Sequence, residues 1–168
     1  MILFRHGKSD WDSGAENDHE RSVSNRGKSA ARAMGRFLTL AKQVPDSIVT
    51  SSAVRARTTV ELATQAGGWK CPVRITRALY EATPLMVLEE VRREPEATQR
   101  LLLAGHEPTW SELASLLVGG GTFHFSTAAM ARIDFDVHGW PEVGYEKGRL
   151  IWLLPPKLFT EGDIDLEL

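Results

Sequence analysis

Apolar residues fall along this chain in short runs that alternate with longer stretches of helical spacing. Ile2-Leu3-Phe4 is a short apolar strand running straight into Arg5-His6. After a polar loop over about 8–23, Ala30, Met34, Phe37, Leu38 and Ala41 recur at inward spacing. That predicts a helix over roughly 26–42, capped by Ser24. Residues 47–50 read as a buried strand, 51–52 as the turn after it, and 55–66 as a helix stopped by Gly67-Gly68. The alternation of Val73 and Ile75 predicts a strand over 73–80, and Pro84 suits the first turn of a helix over 84–93. An apolar strand over 100–104 ends at Gly105-His106. A helix over 108–118 is closed by Gly119-Gly120-Gly121, which reads as a loop and not as a phosphate cradle. Two late strands, about 128–136 and 149–154, are expected to pair like a hairpin through the loop at 139–148.

Strands and helices that alternate in this way indicate an α/β sheet. No repeat, low-complexity tract or Pro/Gly/Ser-rich linker divides the chain, so one domain over 1–168 is expected. Three polar clusters lie just beyond strand ends: Arg5-His6, 51–55 and His106. Open α/β sheets bind ligands outside the carboxyl ends of their strands, so this architecture can gather the three clusters on one rim.

Composition narrows the classes. With 42% hydrophobic and 25% charged residues the chain is ordinary globular material. A net charge of −2 gives no field to recruit nucleic acid or an anionic membrane, yet arginines can still build a local positive pocket. A single cysteine, Cys71, rules out an internal disulfide and a Cys-based zinc site, and reads as a packing residue. The chain turns charged directly after Phe4, so no signal peptide is expected, and no apolar run approaches the ~20 residues of a membrane span. The expected compartment is the cytoplasm. Gly27-Lys28-Ser29 lacks the glycine five positions earlier that a P-loop needs, and His19, His124 and His138 have no metal-pair spacing.

Arg5-His6-Gly7 suits phosphoryl chemistry. An unperturbed imidazole, with a pKa of ~6.5, is largely neutral and nucleophilic near pH 7. Arg5 offers a guanidinium fork to nonbridging oxygens, and Gly7 lets a backbone carbonyl or a phosphate oxygen come close. Alone, the tripeptide is only suggestive.

In context, the tripeptide resembles the signature of the histidine phosphatase superfamily, which includes the phosphoglycerate mutases. Three more segments follow in the family's order. Ser51-Ser52-Ala53-Val54-Arg55-Ala56-Arg57-Thr58-Thr59 is similar to its Ser-Pro-x-x-Arg-Ala-x-x-Thr segment, with Ser52 in place of Pro. Gly105-His106-Glu107-Pro108 is similar to its second histidine motif. Arg21-Ser22-Val23-Ser24-Asn25-Arg26-Gly27 is similar to its Arg-Pro-Leu-Ser-x-x-Gly helix start, again without the Pro, and Phe125-Ser126-Thr127-Ala128-Ala129 extends the match. The residues 6–11, His19-Glu20-Arg21 and Leu79-Tyr80-Glu81-Ala82 look most like the small SixA-like phosphohistidine phosphatases.

The resemblance implies a three-layer α/β/α sandwich with a mostly parallel central sheet, phosphoglycerate mutase-like but minimal and without a cap insertion. It makes His6 the phosphoryl acceptor, with Arg5, Arg55 and His106 binding phosphoryl oxygens. Gly7, Lys8 and Ser9 join the substrate-binding set, and Glu81 is the candidate general acid through its Leu-x-Glu segment. A transferring phosphoryl group needs mostly positioning and charge, so two arginines and a histidine stand in for a metal, and no cofactor is expected. The implied activity is metal-independent hydrolysis of protein phosphohistidine or small phosphomonoesters through phospho-His6, with a phosphohistidine-bearing domain as a candidate partner. A phosphoglycerate mutase-type phosphotransferase and a non-catalytic phosphate-binding module are the alternatives.

Overall fold

The computed structural model of the chain describes residues 1–11 and 14–161. Asp12 and Ser13, which fall in the expected polar loop, lie outside the described residues. Six strands form one sheet: β1 (Ile2–Arg5), β2 (Ser47–Ser51), β3 (Val73–Thr76), β4 (Leu101–Gly105), β5 (Met130–Phe135) and β6 (Gly148–Leu154), in the order β3-β2-β4-β1-β5-β6. The pairs β1–β4, β2–β4 and β2–β3 are parallel, whereas β1–β5 and β5–β6 are antiparallel. The expected mostly parallel sheet and its late antiparallel pair are both present.

Alternation along the strands sends side chains to two helical layers. Ile2, Phe4, Ile48, Leu102 and Ala104 pack with α1 (Asn25–Leu40) and α2 (Val54–Gly67). Leu3, Val49, Leu101 and Leu103 pack on the other face with α3 (Pro84–Arg92) and α4 (Thr109–Val118). A further helical turn, α5 (Lys157–Thr160), packs Phe159 beside Phe37. Helix α1 begins as the pattern predicts: the Ser24 side chain accepts from the Gly27 backbone N–H. Phe37 and Ala41, expected inward, are only partly buried.

One strand is shorter than its pattern. The expected strand over 73–80 ends at Thr76, whose side chain accepts from the Ala78 N–H and turns residues Arg77–Leu79 into a 3-10 helix. Val73 and Ile75 stay exposed because β3 is the sheet edge. Among the described residues no helix is long and apolar enough to cross a membrane.

Since β1, β2 and β4 run parallel and adjacent, their carboxyl ends meet on one edge of the sheet. The register places Arg5 opposite Gly105, and Thr50 opposite Ala104. Three segments remote in sequence thereby deliver His6, Ser51 and His106 to the same place.

Candidate active site

His6 directly follows β1, and its backbone N–H donates to the Gly105 carbonyl while its own carbonyl accepts from Ala128 N–H. Its position is therefore fixed to β4 on one side and to the segment preceding β5 on the other. The residue is 8% exposed. Its Nδ1 hydrogen-bonds to the Gly7 carbonyl at 2.7 Å. A carbonyl only accepts, so Nδ1 carries the proton and Nε2 keeps its lone pair. Burial is the main force that lowers the His6 pKa to about 4, and the nearby charges of Arg55, Arg5 and Arg21 act in the same direction. The ring is neutral at pH 7.

Gly7 serves this arrangement through its backbone. A Cβ there would lie 2.8 Å from the Gly27 carbonyl oxygen at the start of α1, so only glycine fits without a shift. The expected close carbonyl is thus found, and Gly7 is absent from the residues lining the cavity. Its N–H donates to Thr59 Oγ1 at 2.9 Å, and the Thr59 hydroxyl donates to the Arg55 carbonyl at 2.6 Å. The loop after β1 is tied in this way to the first turn of α2.

His106 follows β4 and faces His6, with ring centroids 5.1 Å apart. Its Nε2 shares a hydrogen bond of 2.8 Å with Ser51 Oγ, while its Nδ1 is buried without a partner. Burial first, then the proximity of His6 and Arg55, lowers its pKa to about 3. Arg55 stands in the first turn of α2 with its side chain 7% exposed. Arg5 Nη1 donates to the Phe125 carbonyl at 2.5 Å, which gives the 125–129 segment a role in holding the guanidinium. The Nε groups of Arg5 and Arg55 are both buried and unpartnered. Buried N–H donors without acceptors are rare in folded proteins, and both of these belong to residues that line one cavity.

That cavity measures about 850 Å³. Arg5, His6, Arg55 and His106 line it together with Lys8, Ser9 and Glu81, so all the sequence-predicted site residues except Gly7 meet there. Glu81 is exposed and has a φ of 53°, a left-handed conformation that non-glycine residues seldom adopt. Ser9 is buried and Lys8 exposed. Trp11 sits on the rim, 78% exposed, with the Arg21 guanidinium 3.8 Å from its ring centre.

Sequence reasoning did not single out four further liners or supports: Asp18, Arg21, Tyr80 and Thr59. Arg21 and Tyr80 were visible as members of motif segments, and Thr59 closes the segment that starts at Ser51. Asp18 carried no signal.

Residues 1–112 match the family model described as the histidine phosphatase superfamily (branch 1). An uncharacterized protein of Mycobacterium tuberculosis (strain H37Rv) is 37% identical over 114 residues, which cover 68% of this chain and 69% of that protein. Another, from Mycobacterium leprae (strain TN), is 34% identical over 122 residues, covering 71% and 73%. Among solved structures, a protein assigned as the phosphohistidine phosphatase SixA of Nakamurella multipartitia aligns with a TM-score of 0.79 and 25% identity, over 92% of this chain and 95% of that one. The protein histidine phosphatase SixA complexed with tungstate aligns with a TM-score of 0.79 and 23% identity, over 93% and 97%.

Proposed function

The chain belongs to the histidine phosphatase superfamily and is a phosphatase, and on that premise we propose that it hydrolyses protein phosphohistidine or small phosphomonoesters, without a metal, through a phosphorylated His6. The observation that carries this reading is the state of His6: neutral, buried, its Nδ1 proton held by Gly7, its Nε2 free to attack.

In the first step Nε2 attacks phosphorus in line. A nitrogen–phosphorus bond forms as the bond to the leaving group breaks, and the leaving group departs with the electron pair and takes up a proton. Arg5, Arg55 and His106 bind the nonbridging oxygens from the cavity wall they share. In the second step water attacks the phosphoryl group, the nitrogen–phosphorus bond breaks, and His6 returns neutral with release of phosphate.

Two classes of leaving group make different demands. An alcohol leaves poorly as an alkoxide and needs a proton, for which Glu81 is the donor on the cavity wall. An imidazole has a near-neutral pKa and leaves without strong acid help. The exposure of Glu81 and the open rim at Trp11 favour phosphohistidine over a closed mutase reaction, which would need the substrate sealed from water. The relative assigned as a phosphohistidine phosphatase supports the same substrate class.

Incubation with p-nitrophenyl phosphate and with a phosphohistidine peptide, both without added metal, tests the reading. The wild type should hydrolyse both, and His6→Ala should abolish both. Hydrolysis that survives His6→Ala, or that a chelator abolishes, overturns it.

A further inference from the structure

The proposed chemistry leaves one charged cluster of the cavity unused. Asp18 holds Arg55 at two points: its backbone carbonyl accepts from Nη1 at 2.5 Å, and its carboxylate Oδ2 accepts from Nη2 at 2.8 Å. The other carboxylate oxygen receives Arg21 Nη2 at 2.6 Å, and the Tyr80 hydroxyl donates to Oδ2 at 3.1 Å. One carboxylate therefore joins two guanidiniums of the same cavity. A free arginine side chain samples many rotamers, and fixing both terminal nitrogens removes most of that freedom before substrate arrives. Arg55 is left with a buried, unpartnered Nε.

A carboxylate beside a phosphoryl site also carries a penalty, because it repels the incoming dianion and cancels the charge of Arg55. Arg21 corrects this. With Arg55 and Asp18 alone the cluster is neutral, whereas Arg21 leaves it with one positive charge. The guanidinium is itself held by Asp18 and by the face of Trp11, and its Nε and Nη1 are buried without acceptors.

We propose that Asp18 and Arg21 form a positioning pair for Arg55, in which Asp18 sets the orientation of the guanidinium and Arg21 restores the positive charge that Asp18 removes. The inference rests on the reading of Arg55 as a phosphoryl ligand. An opposite role, with Asp18 as an internal anion competing with substrate for Arg55, fits less well. The Asp18 backbone carbonyl holds Nη1 independently of the carboxylate, so substrate cannot free Arg55 simply by displacing the charge.

The test uses the full chain and p-nitrophenyl phosphate, with Ki for inorganic phosphate and circular dichroism as a check of folding. The variants are Asp18→Asn, Arg21→Gln, Arg55→Lys, and the doubles of Asp18→Asn with each of the other two. Asp18→Asn is expected to lower kcat about tenfold, as loss of a charge-assisted hydrogen bond does. In the Arg55→Lys background it should lower kcat by less than about twofold, because its effect passes through Arg55. Arg21→Gln should weaken phosphate binding, and adding Asp18→Asn should restore the binding while kcat stays low. Should Asp18→Asn fail to fold, Asp18→Ser, which also removes the carboxylate, makes the same comparison. A folded Asp18 variant with wild-type kcat, one that binds phosphate more tightly with undiminished kcat, or one with an equal loss in both backgrounds overturns the pair and leaves the reading of Arg55 standing. Wild-type kcat in Arg55→Lys overturns that reading, and the pair with it.

Discussion

His6 Nδ1 donates to the Gly7 carbonyl at 2.7 Å, so the residue next in sequence sets the tautomer of the candidate nucleophile. Gly7 can do so because its own backbone is held twice over, against the Gly27 carbonyl and on Thr59 Oγ1. The reactivity of one imidazole thus depends on the packing of the loop after β1 against the starts of α1 and α2.

That packing predicts the effect of filling it. Gly7→Ala places a Cβ 2.8 Å from the Gly27 carbonyl oxygen, a backbone atom that cannot swing away. Unfolding free energy should fall by about 1–3 kcal/mol. The turnover number should fall as well, because the Gly7 carbonyl moves off Nδ1. Denaturant melts and steady-state kinetics check both, and an alanine variant with wild-type stability and kcat would refute the constraint.

Thr59 should be divisible by chemistry. Thr59→Val removes the acceptor of Gly7 N–H and leaves that buried donor unpaired, a loss of about 1–3 kcal/mol. Thr59→Ser keeps the hydroxyl and should retain most of the activity. Equal behaviour of the valine and serine variants would mean that only volume matters at this position.

Acid stability follows from the two buried imidazoles. The unfolded chain binds protons at His6 and His106 below about pH 6.5, whereas the folded chain resists until about 4 and 3. The stability they confer is complete above pH 6.5 and is lost progressively as pH falls towards those values. Between pH 7 and pH 4 the wild type should lose roughly 3 kcal/mol more than His106→Gln, which has no proton to take up there. Chemical denaturation at both pH values measures this, and parallel losses in the two proteins would contradict it.

As the proposed proton donor, Glu81 should separate the substrate classes. Glu81→Gln should slow an alkyl phosphate, whose alcohol needs a proton, by about 10²-fold or more. It should leave p-nitrophenyl phosphate and a phosphohistidine peptide nearly unchanged. A uniform loss across all three would assign Glu81 to binding and not to proton donation.

Much of this arrangement could be read from residue order. The interior strands β1, β2 and β4 are buried on both faces and appear as plain apolar runs, and Ser24 caps α1 as its residue type suggests. Strand β3 departed from its pattern because an edge strand has one unpaired side, and the Thr76 cap, a side-chain contact, ends it early. His6, Arg55 and His106 were legible because each follows a strand end within a recognisable motif. Asp18 was not, since, Arg21 apart, its partners Arg55 and Tyr80 lie 37 and 62 positions away and no local spacing rule links them. Thr59 was legible as the last residue of its motif, but its contact was hidden for the same reason: it accepts from Gly7, 52 positions earlier.

The proposed mechanism turns on a covalent bond between His6 and phosphorus. Rapid quenching of the wild type during turnover of a phosphohistidine peptide, without metal, should trap an acid-labile, alkali-stable phosphoryl group. Peptide mapping at alkaline pH should place it on His6, and His6→Ala should be unlabelled and inactive. A phosphoryl group on any other residue, or a His6→Ala variant that turns over substrate at the wild-type rate, would contradict the account.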